Sequence, residues 1–372
     1  MGEERMSSNV GFRSPEEWER LAKERLEQGP FEYIQSGSGA EETLEANLAG
    51  LRNWKIVPRV LRDVSTLDVQ STIIGVQSNL PVALAPVGFQ TIIHPEGELA
   101  AARAAAAKGI PYTVSTVSSY SMEQIAEVMG KGARFFQLYW PNDDEIALSF
   151  VKRAEKSGYS AILITVDTPL LGLREQDKQN QYFPLKNGHG LGNYESDPVF
   201  RTKANLETKE KSEVISEVAS RLFNPTLTWE KVRWLRTQTK LPIVIKGIVH
   251  PDDARLAVEN GIDGVVVSNH GGRQLDGSIS SMDALEDMVK AVKGDIPIIF
   301  DGGIRRGVDI VKALALGADS VLIGRLYAYA LIDGQVGVEK AITQLKDEFQ
   351  TALALTGETK LIDLKKTMLL KR

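Results

Sequence analysis

A chain of 372 residues, 42% of them apolar and 25% charged, has the make-up of an ordered globular protein with enough length for a large core. A formal net charge of −5 leaves no electrostatic footprint for nucleic acid, and the absence of cysteine excludes disulfides, thiolate metal sites and thiol nucleophiles. No run is apolar enough to cross a bilayer, Met1-Gly2-Glu3-Glu4-Arg5-Met6 lacks a signal core, and Leu369-Leu370-Lys371-Arg372 is no peroxisomal address; the expectation is a cytoplasmic protein with no metal and no nucleic-acid or membrane partner.

In chain order, Ser14-Pro15-Glu16-Glu17 reads as an N-cap, a proline at the first helical position and early acidic residues, so Ser14 to Asn53 is expected to be helical within an N-terminal segment 1–55. Eight short apolar strands follow, near Val82–Ala85, Pro111–Val114, Phe135–Tyr139, Ala161–Asp167, Pro242–Lys246, Gly264–Ser268, Pro297–Asp301 and Ser320–Gly324. Helical stretches such as Gly97–Lys108, Asp253–Asn260 and Val308–Leu316 alternate with them. Eight β/α units predict an α/β fold, a closed (β/α)8 TIM barrel over 56–365, with the whole chain 1–372 as one domain. One connection breaks the rhythm: Leu170 to Thr239, after strand 4, is long and polar. It predicts a lid loop over about 177–225 at the barrel mouth, with a helix near Trp229–Thr237 resuming the pattern.

If the barrel closes, polar residues at strand C-termini converge on one mouth, and this chain supplies them strand after strand. The fragments are Ala85-Pro86-Val87-Gly88, Val114-Ser115, Gln137-Leu138-Tyr139, Thr165-Val166-Asp167, Lys246-Gly247, Ser268-Asn269-His270, Asp301-Gly302-Gly303 and Gly324-Arg325. The most informative is Ser268-Asn269-His270-Gly271-Gly272-Arg273. It follows a buried strand and sets a proton acceptor three residues from a guanidinium that can grip a carboxylate. A 2-hydroxy carboxylate satisfies both. A lone histidine or arginine after a strand is more often packed or solvated; the one-sided convergence is what favours a site. Lys246 ends an apolar strand and needs an anionic partner, either a structural one such as Asp167 or a group that becomes anionic during reaction. Asp301-Gly302-Gly303-Ile304-Arg305 and Gly324-Arg325, ending strands 7 and 8, suit either a phosphate cradle or simple tight turns.

From Ser14 to Leu364 the chain resembles the FMN-dependent family that oxidises 2-hydroxy acids, which includes glycolate, lactate and hydroxymandelate oxidases. The most specific pieces are Ser268 to Asp276, Phe136-Gln137-Leu138-Tyr139, Thr165-Val166-Asp167-Thr168-Pro169 and Asp301 to Gly307. The resemblance implies FMN as cofactor, His270 as base with Asp167 behind it, and Arg174 and Arg273 as the carboxylate clamp. It also implies Tyr139 at the reacting carbon's oxygen and Tyr33 at a carboxylate oxygen. Pro86, Val87, Gly88, Ser115, Gln137, Thr165, Lys246 and Ser268 match positions around the flavin ring and ribityl chain; Asp301, Gly302, Gly303, Arg305, Gly324 and Arg325 match the phosphate end.

Departures from the family pattern bear on the substrate. Val117 stands where plant glycolate oxidases carry tryptophan and Gly88 where alanine is frequent, changes expected to enlarge or soften the pocket. Leu170 and Leu173 replace arginines and are expected to form an apolar wall before Arg174. The implied reaction converts an (S)-2-hydroxy acid, foremost L-lactate, to the 2-oxo acid with electrons passed to O2 to give H2O2. Alternatives are mandelate or 4-hydroxymandelate, a quinone or cytochrome acceptor, a monooxygenase outcome, or a barrel that only binds its ligand. The resemblance also implies a homo-tetramer or octamer.

Overall fold

The computed structural model describes residues 11–372; the stretch Met1 to Met6 lies outside them. Eight parallel strands close into one barrel: β1 (Val82–Leu84), β2 (Tyr112–Ser115), β3 (Arg134–Leu138), β4 (Ile162–Thr165), β5 (Ile243–Ile248), β6 (Gly264–Val267), β7 (Ile298–Asp301) and β8 (Ser320–Ile323). Each pairs with its neighbour in sequence, and β8 returns to β1 through Val321–Val82, Leu322–Ala83 and Ile323–Leu84. All eight are buried along their length, apart from half-buried Gly247 in β5 and Asp301 in β7. Burial on both faces is why the sequence shows them as continuous apolar runs.

Side-chain alternation along these strands creates the site. Ala83, Phe135, Leu163, Val244, Val266, Ile299 and Leu322 form a compact inner core, with Ile73 and Ile74 of the hairpin Ser71–Ser78 packed into it. Two residues further on, the same inward face carries Ala85, Gln137, Thr165, Lys246, Ser268, Asp301 and Gly324. One parity therefore fills the barrel with hydrocarbon in its middle and with polar groups at its C-terminal mouth.

The N-terminal segment folds as three helices, Pro15–Arg25, Gln28–Gln35 and Glu42–Asn53. The first is capped as its sequence predicts: Ser14 Oγ accepts from the Glu17 amide at 3.2 Å, and Glu17 accepts from the Ser14 amide at 2.8 Å. The third is tied to the mouth by a reciprocal amide pair, Asn47 to Asn269, at 2.8 and 2.9 Å. The connection expected to be a lid loop is instead a run of short helices, including Glu175–Gln179, Pro198–Lys203 and Lys211–Arg221. It buries Leu185, Leu191, Tyr194 and Phe200, apolar anchors spaced too irregularly to stand out from the polar residues around them. The helix Trp229–Gln238 then resumes the barrel rhythm. A strand pair with no clear sequence signal joins the chain's end to the end of its helical segment, Leu369–Lys371 lying antiparallel to Trp54–Ile56.

Candidate active site

At the mouth, His270 sits at φ 61°, a left-handed conformation that throws the ring back over the barrel opening. Its backbone amide donates to Ser268 Oγ at 3.0 Å. Nδ1 lies 2.9 Å from Asp167 Oδ1, at the end of β4, and Nε2 lies 3.2 Å from the Tyr139 hydroxyl, past the end of β3. Burial pushes the His270 pKa down and outweighs the upward pull of Asp167, leaving a neutral imidazole ready to take a proton. Burial pushes the Asp167 carboxyl up, but His270 and then Lys246 outweigh it and hold Asp167 below the ordinary carboxylate range. The aspartate is thus the fixed negative charge and the histidine the group that gains a positive one.

Two glycine positions make this geometry possible. At the β-bulge of β5, Gly247 has φ +105°, and a Cβ there would stand 2.4 Å from Asp167 Cγ. Gly272, at φ +77°, lets the turn after His270 press against Leu44 of the third N-terminal helix.

Arg174 is buried and Arg273 half-buried, and both lie against the Tyr33 ring, at 5.7 and 4.9 Å from its centroid. Arg273 Nη1 donates to the carbonyls of Tyr33 and Ser36 at 2.6 and 2.8 Å, which fixes its plane and docks the second N-terminal helix to the barrel. Tyr139 is placed by its amide, which donates to Thr116 Oγ1 at 2.8 Å; burial, reinforced by Asp167, pushes its hydroxyl pKa up, so it remains a donor.

Below this group lies a polar ladder. Ser115 Oγ donates to Gln137 Oε1 at 3.1 Å and Gln137 Nε2 to Thr165 Oγ1 at 2.9 Å. Lys246 Nζ meets Asp301 Oδ2 at 3.1 Å and Ser268 Oγ at 3.2 Å, and Ser268 donates to Asp301 at 2.8 Å. Asp301, two strands away on β7, is therefore the direct partner of Lys246, and the expected pairing with Asp167 is corrected: Asp167 faces the histidine. One cavity connects all of this, from Tyr139, His270 and Lys246 past Pro86 and Val87 to Gly303, Arg305 and Arg325. At its far end Arg325 donates to the carbonyls of Ile34, Gly271 and Ser36 at 2.9 to 3.0 Å. Burial, with Arg273 and Arg305 nearby, pushes its pKa down to about 9. A guanidinium stays protonated regardless, so this shift marks uncompensated positive charge suited to an anion.

A family model described as FMN-dependent dehydrogenase matches residues 22–371, nearly the whole chain. The chain belongs to this FMN-dependent family. An L-lactate oxidase from Lysinibacillus sphaericus is 49% identical over 354 residues, covering 95% of this chain and 91% of that one. Glycolate oxidase 3 from Arabidopsis thaliana is 42% identical, covering 94% of each. The crystal structure of a mandelate oxidase superposes with a TM-score of 0.87 at 39% identity, covering 97% of this chain and 99% of that one. The protein is accordingly an FMN-dependent oxidoreductase acting on 2-hydroxy acids, and the residues present fit that cofactor. A long cleft offers an apolar wall at Ala85 to Val87, an ammonium group at Lys246, and the positive charge of Arg305 and Arg325 beside the turn at Gly302 and Gly303, with the amide and hydroxyl of Gln137 and Thr165 in the ladder beneath it. At Gly324 an added Cβ would approach only Ala85, at 3.8 Å, so that wall of the cleft is bare backbone.

All the site residues expected from sequence surround this cleft or the ladder beneath it. Two substrate-side expectations are corrected. Gly88 does not enlarge the pocket, because Val117 fills its space: a Cβ at Gly88 would fall 2.4 Å from Val117 Cγ2. Leu170 and Leu173 are not a wall but point outward, 66% and 53% exposed, while Leu171 lines the cavity. Several supporting residues have roles that the sequence did not assign. Gln274 Nε2 donates to the Asp167 carbonyl at 2.8 Å, and Asp276 accepts from the Thr43 amide at 2.9 Å. Glu98, fully buried and pushed up to about 7 by burial, accepts from the amides of Gln90 and Ser119 at 3.0 and 3.1 Å, joining the loops after β1 and β2. The signal for Glu98 is a carboxylate at the start of an alanine-rich helix, which sequence alone reads as ordinary capping.

Proposed function

We propose that the protein is an (S)-2-hydroxy-acid oxidase whose foremost substrate is L-lactate, with O2 as electron acceptor and H2O2 and the 2-oxo acid as products. The observation that carries it is the single cluster in which a neutral His270, backed by Asp167 at 2.9 Å, faces Tyr139 beside Arg174 and Arg273. Arg174, Arg273 and Tyr33 grip the substrate carboxylate, which orients the α-carbon and converts binding into rate. Tyr139 donates to the substrate's hydroxyl oxygen. His270 takes the proton, and Asp167 stabilises the imidazolium; two unit charges about 4 Å apart attract by about 4 kcal/mol at a protein-like dielectric. Bound FMN supplies the acceptor for the two electrons lost when the alcohol carbon becomes a carbonyl. Pro86, Val87, Gly88, Ser115, Gln137, Thr165, Lys246 and Ser268 hold its ring and ribityl chain, and Asp301, Gly302, Gly303, Arg305, Gly324 and Arg325 its phosphate end.

Lactate leads because Val117 closes the space beside Gly88 and because a lactate oxidase is among the similar proteins, at 49% identity. A second reading, an aromatic 2-hydroxy acid, is favoured by Phe183 and Phe223 in the cavity wall and by the structural similarity to a mandelate oxidase solved with (S)-4-hydroxymandelic acid. Anaerobic flavin absorbance decides. Fast bleaching by (S)-lactate with slow bleaching by (S)-mandelate supports the first reading, the reverse supports the second, and no bleaching by either overturns both.

A homo-tetramer or octamer fits the exposed Val57, Val60, Leu61 and Leu355, since Arg59, between them, bonds to the Thr356 carbonyl at 3.0 Å and so brings the two segments together. Light scattering on the purified protein tests it. A cytoplasmic setting fits the finding that no described helix is long and apolar enough to cross a membrane.

A further inference from the structure

The clamp contains one more ionisable group, unused by the chemistry above. Asp177 lies on the short helix Glu175–Gln179, three residues after Arg174. Its side chain is 10% exposed and that of Arg174 7%. Neither Asp177 oxygen has a hydrogen-bond partner among the described residues, and the nearest approach of the two groups, Nη1 to Oδ2, is 3.9 Å, too long for a hydrogen bond. Arg174 spends only Nε, in a 3.4 Å contact with the Arg273 carbonyl. A buried carboxylate and a buried guanidinium thus face each other with their main bonding capacity unspent. Leaving such groups unpaired is costly, and two like-charged arginines sharing the Tyr33 ring need a counter-charge whenever no substrate is bound.

We infer that Asp177 is an internal counter-ion of the carboxylate clamp, balancing Arg174 in the empty site and yielding it to the substrate carboxylate on binding. It is a positioning residue that acts through Arg174 and sets affinity for anions, and the inference rests on the clamp role proposed above. The 3.9 Å separation is what such a role requires: close enough to balance the charge, too loose to hold the arginine against a better-aligned bidentate partner. Because Asp177 stays beside the bound anion, it also repels it. Removing its charge while keeping its shape therefore strengthens anion binding, whereas a residue that merely held Arg174 in place would weaken binding when changed.

The test compares wild-type holoenzyme with Asp177→Asn by calorimetric titration with oxalate, pyruvate and the neutral pyruvamide. The expected result is Kd for oxalate and pyruvate lowered by about three- to tenfold, with pyruvamide changed by less than about twofold. Asp177→Glu, which retains the charge, keeps oxalate affinity within about twofold of wild type, and Asp177→Ser replaces the asparagine variant should that not fold. Weaker or unchanged anion binding in the charge-free variant, or an equal gain for pyruvamide, overturns the inference. Failure of the wild-type protein to bind either anion overturns the clamp role itself, a distinct result.

Discussion

Replacing Gly247 with alanine should uncouple Asp167 from His270 while leaving the flavin cleft intact. The added Cβ would sit 2.4 Å from Cγ, 2.6 Å from Oδ2 and 2.8 Å from Cβ of Asp167. Restoring ordinary contacts of roughly 3.5 to 4 Å requires the carboxyl to retreat by about 1 Å. That stretches the 2.9 Å bond from Asp167 Oδ1 to His270 Nδ1 beyond hydrogen-bond range. A hydrogen bond to a charged group contributes about 1.5–3 kcal/mol, and losing it as the imidazolium forms slows the reductive step by roughly 10- to 150-fold. The backbone at φ +105° adds strain of about 1–3 kcal/mol, which lowers stability rather than rate. Gly261→Ala separates the two effects: it shares a positive φ, +65°, but its Cβ meets nothing within 4 Å, and it stands before β6, at the end of the barrel away from the mouth. Anaerobic stopped-flow reduction by saturating (S)-lactate is the assay, with FMN content confirmed beforehand. A Gly247→Ala protein that holds FMN and is reduced within about threefold of the wild-type rate refutes the reasoning.

His270→Ala should retain FMN while losing reduction by several orders of magnitude; a variant still reduced within about tenfold removes His270 as the base. Because burial lowers the His270 pKa, the proton-accepting form persists into mild acid. The acid limb of kcat/KM then lies below about 6.5, activity falling as pH drops through it, and a limb above that value contradicts the site's electrostatics. Lys246→Met leaves the half-buried Asp301 carboxylate without its 3.1 Å partner. It should weaken FMN retention or slow reduction by at least about tenfold, measured by flavin content and stopped-flow; neither change would mean that Lys246 serves structure alone.

The eight strands and the identity of the mouth were legible because a parallel barrel strand is buried on both faces and ends in polar residues on one side only. Gln137, Thr165, Lys246, Ser268 and Asp301 share one inward parity with the hydrocarbon core beneath them, and that parity is written into the chain. The helical order of 175–221 was not legible, since its buried anchors Leu185, Leu191, Tyr194 and Phe200 follow no single period.

The sequence by itself determined the fold class and the convergence of polar residues on one mouth, because these rest on local features: periodicity, strand-end chemistry and short spacings such as His270 to Arg273; FMN and the pairing of His270 with Asp167 followed from the family resemblance that its motifs carry. Only the tertiary structure decided who neutralises whom. Lys246 turned out to answer to Asp301 two strands away, Gly88 to be closed by Val117, and Asp177 to be left facing Arg174 without a bond. The physical reason is that charge pairing and steric exclusion depend on distances of a few ångströms between residues far apart in the chain, and barrel closure sets those distances.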